Sequence, residues 1–346
     1  MSKENTVFIG KNKKFSDRNR RSGGYLLKRR TKEIAISVFR ALLMFGLCFM
    51  IIQPMVTRFA MSLMEEKDLY DSTIILLPRH VTMENYKHVA HLCQLDIWRD
   101  SNGMINNSMF NTIWISLLTA VCQIVACTLV AYGFARFEFP FKKFWFACVI
   151  AVIVIPPQTI QTSLYKTFSN FDFMWIHQLI FGRTLNIRKS IWPYTLMSLT
   201  CMGLKDGLYI FMMRQYFKSV PESLEEAAYV DGCSTVHTFV KIMLPDAVPT
   251  IASCFLFAFV WQWTDLFYAR NFLTKYTLLS TEMSTMVSEM GYYFSENSQQ
   301  AKIMSNGRSQ QLVSIAVLVC CVPLIILYIF TQRTFVKSLV MTGSKE

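Results

Sequence analysis

Six apolar stretches, at about residues 34–57, 108–133, 144–167, 191–217, 248–270 and 310–331, constrain this 346-residue chain more than any other feature. Crossing about 30 Å of hydrocarbon takes roughly 20 helical residues, and each stretch is that long. An apolar content of 53% with 14% aromatics also exceeds what a soluble surface needs. The expected fold class is therefore all-α, a polytopic membrane protein with six transmembrane helices.

Charge sets the expected orientation. Residues 1–33 hold 11 Lys/Arg against 3 acids, ahead of the first apolar run at 34–57. A basic segment before a long apolar helix is the positive-inside pattern, which puts the N-terminus in the cytoplasm and argues against a nucleic-acid-binding face. Six crossings return the C-terminal tail, 332–346, to the same side. The later loops agree, with Arg136, Lys142 and Lys143 after the second stretch, Arg214, Lys218 and Lys241 around the fourth loop, and Arg333 and Lys337 after the sixth. Residues 58–107, 168–190 and 271–309 then lie outside, and 108–331 form the core permeation domain. The run 34–57 is longer than a signal-peptide core and lacks a small-residue cleavage site, so it reads as a signal anchor. Within 58–107, the segment MENYKHVAHL reads as an amphipathic helix that gives the outer segment a small docking surface.

Neither a disulfide framework nor a metal site is expected. Eight of the ten cysteines fall in apolar stretches, where a thiol behaves as a small hydrophobe, and no CxxC pair occurs. His88 and His91 stand one turn apart near Cys93, but two imidazoles without a third placed ligand are the usual pattern of surface residues. No cofactor is expected.

Several polar or helix-breaking residues interrupt the apolar stretches. Pro156 and Pro157 remove amide donors and kink the third, which suits a helix lining a pathway, although Pro is in any case common in membrane helices. Lys205 and Asp206 lie near the middle of the fourth. Adjacent helical positions point about 100° apart, so the two cannot simply neutralise each other. Either they find partners or water in a pathway, or the stretch is a short outer helix plus a shorter membrane helix that leaves both at an interface. Trp261, Trp263 and Asp265, toward the outer end of the fifth, suit the aromatic belt. They equally suit a sugar site, with an indole on an apolar sugar face and a carboxylate accepting hydroxyl hydrogen bonds.

Between the fourth and fifth stretches runs PESLEEAAYVDGCSTVHTFVKIMLPDAVP, residues 221–249. It is too polar for lipid and too helix-prone for a turn, so a pair of short cytoplasmic helices is expected. Acids in the first turns after Pro221 favour the helix dipole, and Asp231-Gly232 ends that helix because glycine reaches the left-handed region. Thr235 to Leu244 can form the second, with Pro245 marking where the fifth stretch begins.

This loop resembles the cytoplasmic loop of ABC importer permeases, which follows E-A-A, three residues, G, nine residues, I-x-L-P. Here it reads Glu226-Ala227-Ala228, Gly232, Ile242, Leu244 and Pro245, with every spacing matched. At roughly 5–10% usage per residue type, seven such positions coincide by chance on the order of a few times per million. The likeness extends over about residues 30–346 to carbohydrate permeases of the maltose G-subunit type, through NSMFNTIWISLL, AYGFARFEFP, FMMRQYFKSVP, FVWQWTDLFY and QRTFVKSLVMTGSKE. The resemblance implies that the loop is a coupling helix seated in an ATPase subunit. It also implies a second homologous permease subunit, two ATPase subunits, an extracytoplasmic solute-binding protein and a carbohydrate substrate moved by alternating access. No G-x-x-x-x-G-K-[ST] phosphate loop occurs, so ATP hydrolysis is expected in a partner and no enzymatic chemistry in this chain. The rival from another class is a stand-alone secondary transporter that uses the charged pair in the fourth stretch as an ion site.

Overall fold

The structure is a computed structural model that describes residues 25–71, 73–74, 76–96, 105–172, 184–297 and 305–343. Most of the basic segment 1–33 and the outer residues 97–104 lie outside the described residues. Helices dominate, and the strand-like features among the described residues are two isolated bridges, Met64 with Val81 and Phe171 with Leu185. In chain order the helices are α1 (Tyr25–Ser62), α2 (Glu84–Leu92), α3 (Ser108–Arg136), α4 (Lys142–Val154), α5 (Gln161–Ser169), α6 (Trp192–Leu199), α7 (Asp206–Ser219), α8 (Glu222–Val230), α9 (Thr235–Thr238), α10 (Leu244–Asp246), α11 (Val248–Trp263), α12 (Phe267–Phe272), α13 (Leu279–Asn297) and α14 (Asn306–Gly343).

Three helices, α1, α3 and α14, are each long and apolar enough to cross a membrane, and two bent pairs raise the number to as many as five. The expected third stretch is α4 and α5 with a bend of 102° between them at Pro156 and Pro157. Two consecutive prolines remove the amides that would continue the ladder. The expected fourth is also broken: α6 ends at Leu199, residues 200–205 are non-helical, and α7 starts at Asp206. Cys201 and Lys205 there hold φ of +56° and +65°, which no right-handed helix accommodates. The fifth is α11, at 16 residues about 24 Å long, extended by α12 after a turn.

At the centre stands α3, against which α6, α7 and α11 pack. Its buried face carries Ser116, Thr119, Gln123 and Thr128, polar residues inside an apolar span. Thr112, Thr119 and Thr128 return their hydroxyl protons to the carbonyls four residues earlier, so small polar side chains let helices approach closely without orphaned donors. The face of α1 is the opposite case. Leu42, Phe45, Met50 and Ile51 are each more than 60% exposed, a stripe that only lipid or another apolar surface can cover.

The expected outer helix at residues 84–92 is present as α2. A polar network fastens it and the end of α1 to α14: Arg308 donates to Asn85 and Gln311 at 2.6 Å each, and Gln311 donates to the carbonyls of Met61 and Met64. Nearby, the His80 ring and the amides of Arg79 and His80 bond to Asp68, holding its carboxyl below the usual carboxylate range. His88 and His91 both pack on Tyr293 of α13.

Candidate functional site

Two regions collect the residues singled out by sequence, one at the loop end of the bundle and one around the break between α6 and α7. In the loop, α8 ends in two linked hydrogen bonds: Cys233 N–H to Ala228 O at 2.9 Å and Gly232 N–H to Tyr229 O at 3.0 Å, with Gly232 at φ +84°. That is the Schellman arrangement, and it explains the motif's internal spacing. Ala228 supplies the carbonyl that the turn closes on and is buried, whereas Glu226, Ala227 and Gly232 face outward.

The second half of the loop differs from a simple short helix. From α9 the chain widens into a π turn, Phe239–Met243, before α10. Leu244 N–H bonds to Phe239 O, five residues back, directly ahead of Pro245. Proline cannot donate and its ring crowds the carbonyl four residues earlier, so the ladder loosens there. Ile242 and Leu244 are half-buried, Pro245 is exposed, and the chain turns 74° into α11.

Residues outside the motif hold this loop to the bundle. Arg136, the last residue of α3, donates from Nε to Glu225 at 2.9 Å and from Nη2 to the Val220 carbonyl at 2.8 Å. Both side chains of the Arg136–Glu225 pair are more than 90% buried. Tyr216 on α7 donates to the Asp246 carbonyl, and Tyr132, Phe217 and Phe239 form an aromatic cluster under the π turn. Along the sequence Arg136 stands out only as a topology charge and Glu225 only as a favourable first-turn acid. The signal for their pairing is an arginine near the end of one helix, in FARFEFP, and acids at the start of another, in PESLEEAA.

Gly232 has open space around it, since a Cβ added there would meet no atom within 4 Å. Only its backbone angle resists substitution, by about 1–2 kcal/mol for an L-residue in the left-handed region and more for a β-branched one. Gly232→Val is therefore expected to unwind the cap, seen as faster hydrogen exchange at residues 228–233, with membrane insertion intact, while Gly232→Asn, which tolerates that region, keeps most of the protection. Unchanged exchange in the valine variant would mean that the glycine does not hold the cap.

Around the α6–α7 break, Pro156, Pro157 and Lys205 line one cavity of about 320 Å³ together with Met202, Gly203, Leu204 and Tyr268. Asp206 lies directly behind, fully buried, with Oδ2 accepting the Gly203 amide at 2.6 Å. A Cβ at Gly203 would sit 2.5 Å from Gln123 Nε2, so a larger residue there would have to displace that amide, which donates to the Leu204 carbonyl. The Lys205 ammonium lies 5.0 Å from the centroid of the Trp261 ring, and Trp261 is 45% exposed. Trp263 is 1% exposed, stacks on Phe259 and donates its indole N–H to Cys320. Asp265 caps α12: its carboxylate accepts the amides of Phe267, Tyr268 and Ala269 and the Tyr194 hydroxyl. The structure thus brings Pro156, Pro157, Lys205 and Trp261 together, and sets Trp263 and Asp265 in the interior.

A family profile described as the binding-protein-dependent transport system inner membrane component matches residues 123–340. The chain belongs to that family. The matched span runs from the middle of α3 through the loop to α14, so it takes in every motif residue and every cavity residue named above. A probable ABC transporter permease protein of Pyrococcus horikoshii is 31% identical over 198 residues, 57% of this chain and 63% of that protein. An arabinooligosaccharides transport system permease protein of Halalkalibacterium halodurans is 25% identical over 274 residues, 79% of this chain and 83% of that one. The matches span 46–63% of the length of three of the curated relatives. Among solved structures, a bacterial ABC transporter involved in the import of the acidic polysaccharide alginate superposes with a TM-score of 0.65, covering 87% of this chain and 96% of that chain at 18% identity. At that identity the likeness shows the fold alone, an all-α membrane-protein architecture.

Proposed function

We propose that this chain is one of two membrane-spanning subunits of an ATP-binding-cassette importer that carries a sugar or oligosaccharide across the cytoplasmic membrane by alternating access. The observation that carries the reading is the two-sided character of α8. Its inner face is fixed to the bundle by the Arg136–Glu225 pair and by Ala228, while Leu224, Tyr229 and Val230 stand exposed beside Glu226 and Ala227. A Schellman-capped helix that shows an apolar face to the cytoplasm suits a groove in an ATPase subunit. Movement imposed on it would pass through Arg136 to α3 and through Tyr216 to α7, the helices behind the cavity.

Six crossings follow if α6 and α7 together form a broken one, with both termini cytoplasmic and residues 58–107 outside, where α2 is available to a solute-binding protein. Two ATPase subunits, a second homologous permease and that binding protein complete the assembly. A carbohydrate is favoured by the names of relatives such as the arabinooligosaccharide permease. ATP hydrolysis belongs to the partners, and the energy of transport lies in contacts that differ between inward-open and outward-open states.

The direct test is affinity purification from the native membrane in mild detergent. A second permease, an ATPase and a solute-binding protein are expected to come with the chain. Recovery of the chain alone, still moving solute after reconstitution without ATP, would overturn the proposal in favour of a stand-alone transporter.

A further inference from the structure

The cavity at the α6–α7 break has a single charged side chain in its lining, and that charge has no counter-ion among the described residues. Lys205 lines it among Ile155, Pro156, Pro157, Met202 and Leu204, which bring no charge. Among the described residues Lys205 makes no ion pair. Its neighbour Asp206 does not supply one, because that carboxylate is fully buried and bonded to the Gly203 amide. The left-handed φ of Lys205, +65°, is the turn that separates the two. Lys205 is exposed, so its ammonium is open to whatever enters the cavity, and the indole face of Trp261 is the one group among the described residues seen to lie against it.

From this placement, and resting on the reading of the chain as a carbohydrate permease, we propose that Lys205 binds an anionic group, a carboxylate or sulfonate, on the transported saccharide. Trp261, whose ring the ammonium already overlies at 5.0 Å, takes the apolar face of the same sugar. An anionic sugar can form a short charge-assisted hydrogen bond with that ammonium, which a neutral one cannot. Lys205 is thus a specificity-determining residue.

The complete transporter in nanodiscs, titrated with trigalacturonate and with maltotriose and followed by tryptophan fluorescence, tests this. Trigalacturonate is expected to half-saturate at a concentration about tenfold lower than maltotriose, the ratio that roughly 1.4 kcal/mol of charge-assisted bonding gives. Lys205→Gln should lose the preference and Lys205→Arg should keep it, while Trp261→Phe should remove most of the fluorescence change. Equal affinity for the two saccharides, a preference that survives Lys205→Gln, or no response to either would overturn the proposal. Failure of the permease reading is seen separately and earlier, as missing partner subunits in the purification, before any saccharide is added.

Discussion

Arg136→Ala is expected to detach α8 from the bundle and abolish ATP-driven uptake while the membrane helices stay folded. The Arg136 and Glu225 side chains are 7% and 9% exposed, so removing the guanidinium leaves a carboxylate buried without its partner. Breaking such a pair from one side costs about 3–5 kcal/mol. The same change also orphans the Val220 carbonyl, the point where the chain turns into Pro221. A nine-residue helix has little stability of its own, so that loss is enough to free it. Hydrogen exchange at residues 222–230 should accelerate to the rate of an unprotected loop, with α3 and α7 still protected. The exchanged pair, Arg136→Glu with Glu225→Arg, should recover part of the protection and part of the uptake. Unchanged exchange in Arg136→Ala would mean that the ion pair does not hold the loop.

Asp265→Ala is expected to destabilise the folded chain severely. Three amides and the Tyr194 hydroxyl converge on that carboxylate, three of these bonds buried and the one from Phe267 partly so. An orphaned buried donor costs about 1–3 kcal/mol, so losing the acceptor for four donors consumes much of the roughly 5–15 kcal/mol that holds a folded domain. The effect should appear as low yield and a lowered unfolding temperature in detergent. Asp265→Asn, which still accepts from the amides, should fall between. An alanine variant with the wild-type unfolding temperature would return Asp265 to the pathway. The distinction matters because a substrate ligand and a helix cap look alike in the string WQWTDLFY.

The loop was the most legible part of the site. Its motif spacing, the glycine stop and the first helix all depend on contacts within a few residues, and α8 with its Schellman close follows from them directly. The π turn before Pro245 is local too, but proline allows either a stop or a loosened ladder, and only packing of Phe239 and Met243 into the core selects the second. The charged pair Lys205-Asp206 was visible as an anomaly without revealing its solution. Two arrangements were open, and the one adopted, a non-helical link between α6 and α7 with Lys205 exposed and Asp206 buried, involves Gln123 from α3 and the space left by Gly203. Trp261 and Trp263 are two residues apart and chemically alike, yet one is 45% exposed and the other 1%.

By itself, the sequence determined what hydrocarbon and local backbone geometry impose: all-helical architecture, long apolar spans, a capped polar loop between the fourth and fifth, and the family to which that loop belongs. Those properties are set by the solvent a segment needs and by hydrogen bonds that close within about five residues. Tertiary structure alone decided which polar residues are spent on the interior and which remain for function. Arg136 meets Glu225 across 89 positions, Tyr194 meets Asp265 across 71, and Lys205 meets Trp261 from a different helix. Such pairings depend on how helices dock in three dimensions, where close packing and the cost of an unpaired buried group choose among partners that look equivalent along the chain.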